Sequence, residues 1–577
     1  MGVNLLGYVV LRFRHRNPIN PGTGGSRPSL AALHRTAGLL AVGLALAGLS
    51  GCGGGGGPAA EQSVVTPPPV QQATVVATYH NDNSRSGVNA NEMTLTPANV
   101  NVASFGKVAA VPVEGEVYAQ PLYIANVMMP DGHSHNLVIV ATEHDQVYAI
   151  DADSKAVLWQ KSFLDQQGLI TPVPAADTNC HAIANEVGIT GTPVIDRTTG
   201  AIYLVVRTKE TSNGQSAYYQ RMHALLLTSG QDMAPATTIV TPANRNGQFG
   251  VAIFDPLLNM QRAALLLVNG NVYVTWASHC DLGGYSGWLM SFDATTLATV
   301  AAWTPTPSGV RGGIWMSGAG PASDASGDIY VAVGNGWSDA PVGGANFGSA
   351  LVRLQPIDNA ITVSDYFMPW DFGTLNNDDL DLGASGPVLL PRQANQAHQN
   401  LMTIAGKDGT VYLLDRDDLG KWQANNDGQI LQSFPMSHGE FSTPAFWNNT
   451  LYYAVTQDAL KAYAFDPTTQ QINPTPTSSS GAVRFGWPGA TPVISANGTE
   501  NAIAWTLQTD RYWMENGYSV LRAFDATNLS QELYDTEMSL DRDHPGVAVK
   551  FTVPTVADGQ VFVGTHNELD VYGLLAH

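Results

Sequence analysis

Cysteine is scarce in this chain: Cys52, Cys180 and Cys280 are the three among 577 residues. None of them forms a Cys-x-x-Cys or Cys-x-x-Cys-His pattern. That excludes a covalently attached haem and the common thiolate zinc sites. Charge is also scarce, at 13% of residues, and it leans acidic, with 48 Asp and Glu against 27 Lys and Arg and a net charge of −21. Such a surface repels phosphate backbones, so a nucleic-acid partner is not expected. Helical periodicity is missing as well, and the apolar run Thr36 to Leu49 is too short for a comfortable membrane span. What the chain does have is 58 Gly, 34 Pro and a hydrophobic content of 44%. This is a turn-rich globular composition, long enough to bury a large core.

The N-terminus reads as an address. Arg27, His34 and Arg35 precede the apolar run, which ends in Leu49-Ser50-Gly51-Cys52. A basic flank, a short apolar core and small residues before a cleavage point make an export signal. The tetrapeptide resembles the bacterial lipobox, which implies acylation of Cys52 and a membrane anchor. Gly53 after Cys52, where inner-membrane lipoproteins usually carry Asp, implies the outer membrane of the cell envelope. Residues 1–51 are thus expected to be a signal peptide, with a start further downstream than Met1, and residues 52–74 a Gly- and Pro-rich tether. The segment before Cys52 contains arginines and no acid, so its removal leaves an even more acidic mature chain.

From about residue 105 a strand signature recurs every ~45–75 residues, a repeat-protein spacing. Each unit starts with a small or Pro-containing strand, as in YAQPLYI from Tyr118, GTPVIDR from Gly191, RAALLLV from Arg262 and GAGPASD from Gly318. SGPVLLP from Ser385, STPAFW from Ser442, ATPVIS from Ala490 and TVPTVAD from Thr552 continue the series. A β-branched and aromatic second strand follows, and most units close with a third strand ending in an Asp-led turn such as MSFDATT or YAFDPTT. Eight copies, each too small to bury both faces, predict one all-β domain over residues 75–577. The expected form is a single eight-bladed β-propeller of four-stranded antiparallel blades. The last copy lacks an outer strand, and FGKVAAVPV from Phe105 to Val113 is expected to supply it, closing the ring and removing an open edge.

The segment Ala149 to Trp159 (AIDADSKAVLW) is similar to the Ala-x-Asp-x-x-Thr-Gly-Lys-x-x-Trp motif of quinoprotein propellers, with Ser154 and Lys155 in place of its Thr and Gly. In that family the Trp docks between blades. Four further positions match the pyrroloquinoline-quinone (PQQ) dependent alcohol dehydrogenases of the family. In HCDLGGYSGWLMSFD, Asp281 falls on a calcium-binding Glu; in IYVAVGNGW, Asn335 falls on a calcium-binding Asn. In DDLDLGASGP, Asp381 falls on the catalytic base; in GKDGTVYLLDR, Lys407 falls on the basic residue that touches the quinone. The resemblance implies PQQ and calcium as cofactors, with Asp281, Asn335 and Asp381 around the metal. It also implies Asp381 and Lys407 in catalysis, and Trp315 with Lys407 beside the cofactor; Arg207, a polar group expected on the same face, is a further cofactor-binding candidate. The strand order brings the loops before each first strand and after each second strand to one face, where a ligand is expected.

The departures are equally specific. The dehydrogenases carry adjacent cysteines over the quinone, whereas here Cys180 stands alone near that place. Asp281 is one methylene shorter than Glu, which moves a ligand oxygen by about 1.5 Å. Cys180 and Cys280 either pair, as export permits, or stay as two buried thiols; with His181 and His279 they lack zinc-site spacing. Asp281, Asp381 and Asn335 also suit plain loop turns. Glu143, His144, Glu186, His279, His438, Glu440 and His566 are further polar groups expected on the ligand face.

The expectation is an envelope-anchored quinoprotein-like oxidoreductase of alcohol or sugar hydroxyls. The alternative is a non-enzymatic propeller scaffold with an envelope protein partner, like the lipoprotein that assists outer-membrane protein assembly. Fold alone does not separate them.

Overall fold

The structure, a computed structural model, describes residues 74–241 and 250–576. The chain divides into Met1–Pro68 and Pro69–His577, and every described residue lies in the second unit. The expected signal peptide, Cys52 and nearly all of the tether lie outside the described residues. Among the described residues no helix is long and apolar enough to cross a membrane.

Eight antiparallel sheets follow one another along the chain, each started by one of the repeated Pro-containing or small-residue segments. Blade 4 shows the plan plainly, with Ala322–Ser323, Ile329–Ala332, Leu351–Ile357 and Ala360–Phe367 in simple meander order. Alternating apolar residues put both faces of each sheet against a neighbour, so the core is a series of layers between blades. One layer joins blades 1 and 2 through Leu137, Ile139, Ile202 and Leu204, and another joins blades 2 and 3 through Tyr203, Val205, Trp276 and Met290. The last layer packs Phe562 and Val571 of blade 8 on Tyr123 and Val138 of blade 1, which closes the ring. Phe105–Glu116 pairs antiparallel with His566–Leu574 as the outer strand of blade 8, so the two chain ends share one sheet as expected.

The Asp-led turns explain the degenerate motif. Asp151 accepts hydrogen bonds from the Asp153 and Ser154 amides and from the Ser154 hydroxyl. Lys155, standing where the motif has Gly, takes the left-handed conformation at φ 66°. Leu297 and Gln470 do the same at φ 58° and 55° in two later copies. Trp159 Nε1 donates to the Leu227 carbonyl of blade 2 at 2.9 Å, so the tryptophan docks across the blade boundary.

Several sheets exceed four strands. Blade 2 carries an added hairpin, Ile170–Pro174 and Glu186–Val187, and blade 3 an added Asn259–Met260. The short strands Val75–Val76 and Val88–Asn89 add to the inner edges of blades 1 and 7. Between them the chain winds round the axis and bonds to every blade in turn. The carbonyls of Thr74, Ala77, Asn83, Ser84, Ser86 and Gly87 accept from Ala125, Ile195, Ser323, Leu389, Phe446 and Ile494, in blades 1, 2, 4, 5, 6 and 7. The side chains of Asn83 and Asn89 donate to Leu267 of blade 3 and Val556 of blade 8. Arg85 sits at the centre, fully buried, donating to the carbonyls of Tyr79, Leu265 and Pro321 and to the Thr78 hydroxyl. This segment plugs one end of the channel.

Candidate functional site

The channel also holds a cavity of about 260 Å³, just below the usual range of small-molecule sites. Its walls come from the two loop sets that strand order predicts. Tyr118, Arg262, Trp315, Asp381, Trp487 and Lys550 precede first strands of blades 1, 3, 4, 5, 7 and 8. Asp281, Asn335 and Lys407 follow second strands of blades 3, 4 and 5. Five expected residues, Asp281, Asn335, Asp381, Lys407 and Trp315, therefore line one cavity.

Asp381 is buried at the start of a short 3₁₀ turn, Leu382–Ala384, where its Oδ1 accepts from the Gly383 amide at 2.9 Å. Its Oδ2 lies 2.7 Å from Lys407 Nζ. Burial raises the Asp381 carboxyl above its ordinary range, only partly offset by the Lys407 ammonium. Burial works against the charge on Lys407, but Asp381 and Asp379 outweigh it and raise its pKa. Asp379, absent from the sequence expectations, is the hinge of the group. It ends the helix Phe372–Asp378 in the left-handed conformation, and its Oδ1 accepts from both Lys407 Nζ at 2.7 Å and Asn335 Nδ2 at 2.6 Å. Because a carboxylate only accepts, that bond turns the Asn335 amide so that Oδ1 is the free end. Asn335 Oδ1 is buried with no hydrogen-bond partner.

Asp281 stands at the exposed rim in the left-handed conformation, and the Tyr285 hydroxyl donates to its Oδ1 at 2.6 Å. Beside it, Cys280 forms a disulfide with Cys180, Cα–Cα 5.7 Å, resolving the choice between pairing and separate thiols. The bridge ties the added hairpin of blade 2 to the cavity rim and leaves neither sulfur as a zinc ligand. Trp315 meets Phe551 edge-on at 5.3 Å.

Arg207 is a correction to the expected set. It does not line the cavity: it is buried one layer away, hydrogen-bonded to His279 Nε2 and the Leu257 carbonyl. Its strand position in blade 2 points it into the packing between blades 2 and 3 rather than toward the axis. Glu143 is likewise buried off the cavity, accepting from the Gly188 amide at 2.7 Å and the Thr190 hydroxyl at 3.0 Å, and burial pushes its carboxyl up to about 8. Glu440 is pushed up to about 7 for the same reason and hydrogen-bonds Ser442. His144 binds Glu186 at 2.8 Å, and His566 lies 3.9 Å from Glu116.

Among the lining residues that escaped the sequence reading are Arg262, Lys550, Trp487 and Phe551. Their signal was position, since all four fall in loops just before a first strand. Gly318 makes room for Arg262: at φ 105° it suits glycine, and a Cβ there would overlap the guanidinium.

Asn335 Oδ1 and the Asp281 carboxylate are hard oxygen donors of the kind calcium takes, and the orphaned amide oxygen is what such a cation would satisfy. The set is thin. Among the described residues no three His, Cys, Asp or Glu side chains form a metal-holding group. A cation here would take much of its shell from a bound ligand.

The fold and cavity define an eight-bladed propeller with a small charged chamber on its axis. The same fold occurs in the quinohemoprotein alcohol dehydrogenase of Comamonas testosteroni, at TM-score 0.57 and 14% identity over 87% of this chain and 81% of that one. A quinohemoprotein alcohol dehydrogenase of Pseudomonas putida HK5 aligns at TM-score 0.56 and 13% identity, over the same shares of each chain. BamB of Moraxella catarrhalis aligns at TM-score 0.46 and 12% identity, over 81% of this chain and 99% of its own. No family model and no curated protein sequence matches the chain.

Proposed function

We propose that this protein is a quinoprotein-type oxidoreductase of an alcohol or sugar hydroxyl, held at the periplasmic or surface side of the outer membrane by a lipid on Cys52. The observation that carries the reading is the meeting of Asp281, Asn335, Asp381, Lys407 and Trp315, from three successive blades, on one cavity. PQQ, when bound, would supply a two-electron acceptor, and calcium, which Asn335 and Asp281 would hold, would supply Lewis acidity. Asp381 is the base that takes the hydroxyl proton as the carbon is oxidised. Its raised pKa strengthens it as a proton acceptor, and the adjoining Lys407 ammonium opposes part of that rise. Lys407 then faces negative charge developing in the site. Trp315 offers a flat wall for a planar ring.

Protein reconstituted with PQQ and calcium is expected to reduce an artificial dye when given a primary alcohol or an aldose. Asp381→Ala is expected to lower that rate by about 10²–10⁴-fold. Failure to bind PQQ, together with no dye reduction, rejects the reading.

A second reading, a docking body for an envelope protein, draws on exposed apolar residues in loops after second strands. Trp337 is 59%, Val342 86% and Trp513 69% exposed. Crosslinking in the intact envelope separates the two: a stable protein adduct at Trp337 or Trp513 favours docking.

A further inference from the structure

We infer that Arg262 and Lys550 form a carboxylate-binding subsite within the cavity, framed by aromatic rings. Both line the cavity, and they are 2% and 9% exposed. Neither takes part in an ion pair or donates a hydrogen bond among the described residues, and Arg262 Nη2 is buried with no partner at all. Their contacts are rings. The Arg262 guanidinium lies 5.5 Å from the Tyr118 centroid and 5.8 Å from that of Phe551. Lys550 Nζ lies 5.4 Å from Trp487 and 4.9 Å from Tyr512. Phe551 meets Trp487 at 5.4 Å and Trp315 at 5.3 Å, so one aromatic surface runs beneath both cations.

Two like charges in one enclosed space repel each other. Glu116 is the acid that acts on Lys550, but the two form no ion pair, and Glu116 Oε2 is itself buried without a partner. Ring contacts offset part of the desolvation of a cation but do not neutralise it. Lys407 differs, because Asp379 and Asp381 already satisfy it. The missing counter-charge therefore belongs to an occupant. A carboxylate matches the site, being flat enough to lie along the rings and able to take the free guanidinium N–H groups. Its source is either a carboxylated cofactor or a hydroxy-acid substrate. The subsite stands whether or not the occupant is a quinone.

The test is calorimetric titration of the full-length protein with four probes: PQQ, benzene-1,3,5-tricarboxylate, D-gluconate and its uncharged counterpart D-glucose. At least one carboxylate is expected to bind, and Lys550→Met and Arg262→Gln each to weaken it about tenfold or more, with thermal unfolding unchanged in Lys550→Met. Binding of PQQ or the tricarboxylate alone assigns the cofactor as source, and binding of D-gluconate over D-glucose assigns the substrate. If D-gluconate binds and PQQ does not, the subsite stands while the quinone reading falls. The inference is overturned if no carboxylate binds, if inorganic phosphate competes better than every carboxylate, or if Lys550→Met leaves carboxylate affinity unchanged.

Discussion

Arg85 and Arg262 are both buried on the axis of the same propeller, and they differ in what surrounds them. Arg85 spends its N–H groups on four blade or plug carbonyls and a hydroxyl. Arg262 faces rings and leaves a terminal nitrogen unmatched. A cation whose donors are all taken is a structural part. One that is buried and left open marks where something else is meant to sit. The same contrast separates the plugged region of the channel from the cavity.

The largest expected effect breaks the plug. Arg85→Met removes the donor for the Pro321 and Leu265 carbonyls and is expected to destabilise by about 3–5 kcal/mol, read by denaturant unfolding. Arg262→Met is expected to leave stability unchanged or raise it, because a buried uncompensated charge is replaced by an apolar chain. Equal losses in the two variants would erase the distinction drawn between them.

Next comes the rim. Cys180→Ser with Cys280→Ser opens a loop spanning a sequence separation of 100 residues and is expected to cost about 2–4 kcal/mol. Protection of the Ile170–Val187 amides from hydrogen exchange is expected to fall, and that of residues 74–89 to persist.

The next effect is expected in the pH dependence of stability. Burial raises Glu143 to about 8, so between its ordinary value and that pH the native state holds a proton that the unfolded chain has lost. Its contribution is complete below about 4.3 and drains away as pH rises through about 8. Glu143→Gln is expected to flatten that part of the stability profile, checked by melting curves across the window.

The smallest effect is local: Lys155→Gly relieves the left-handed strain at φ 66° but loses the bond from Lys155 Nζ to Gln560. A net change within about 1 kcal/mol is expected.

Much of this was legible in the sequence because propeller geometry is written in strand order. Once first and second strands were recognised, the loops carrying Asp281, Asn335, Asp381 and Lys407 had to meet. Arg207 was misplaced because strand order names the loops at one end but not which face of a strand a side chain takes. Asp379 was hidden by its partnership, since a helix-ending Asp looks like any other turn residue until Lys407 and Asn335 reach it. Arg262 and Lys550 were missed for a different reason. Their meaning lies in the partners they lack, and only burial exposes that.

The strap of residues 74–89 touches blades one through eight in order, and so acts as a ruler for the ring. Repeat proteins usually tolerate gain or loss of a module, because each unit knows only its neighbours. Here a single stretch of backbone is already cut to the circumference. Dropping or duplicating a blade would leave it a tooth out of step from that point onward, so the count of eight is enforced twice.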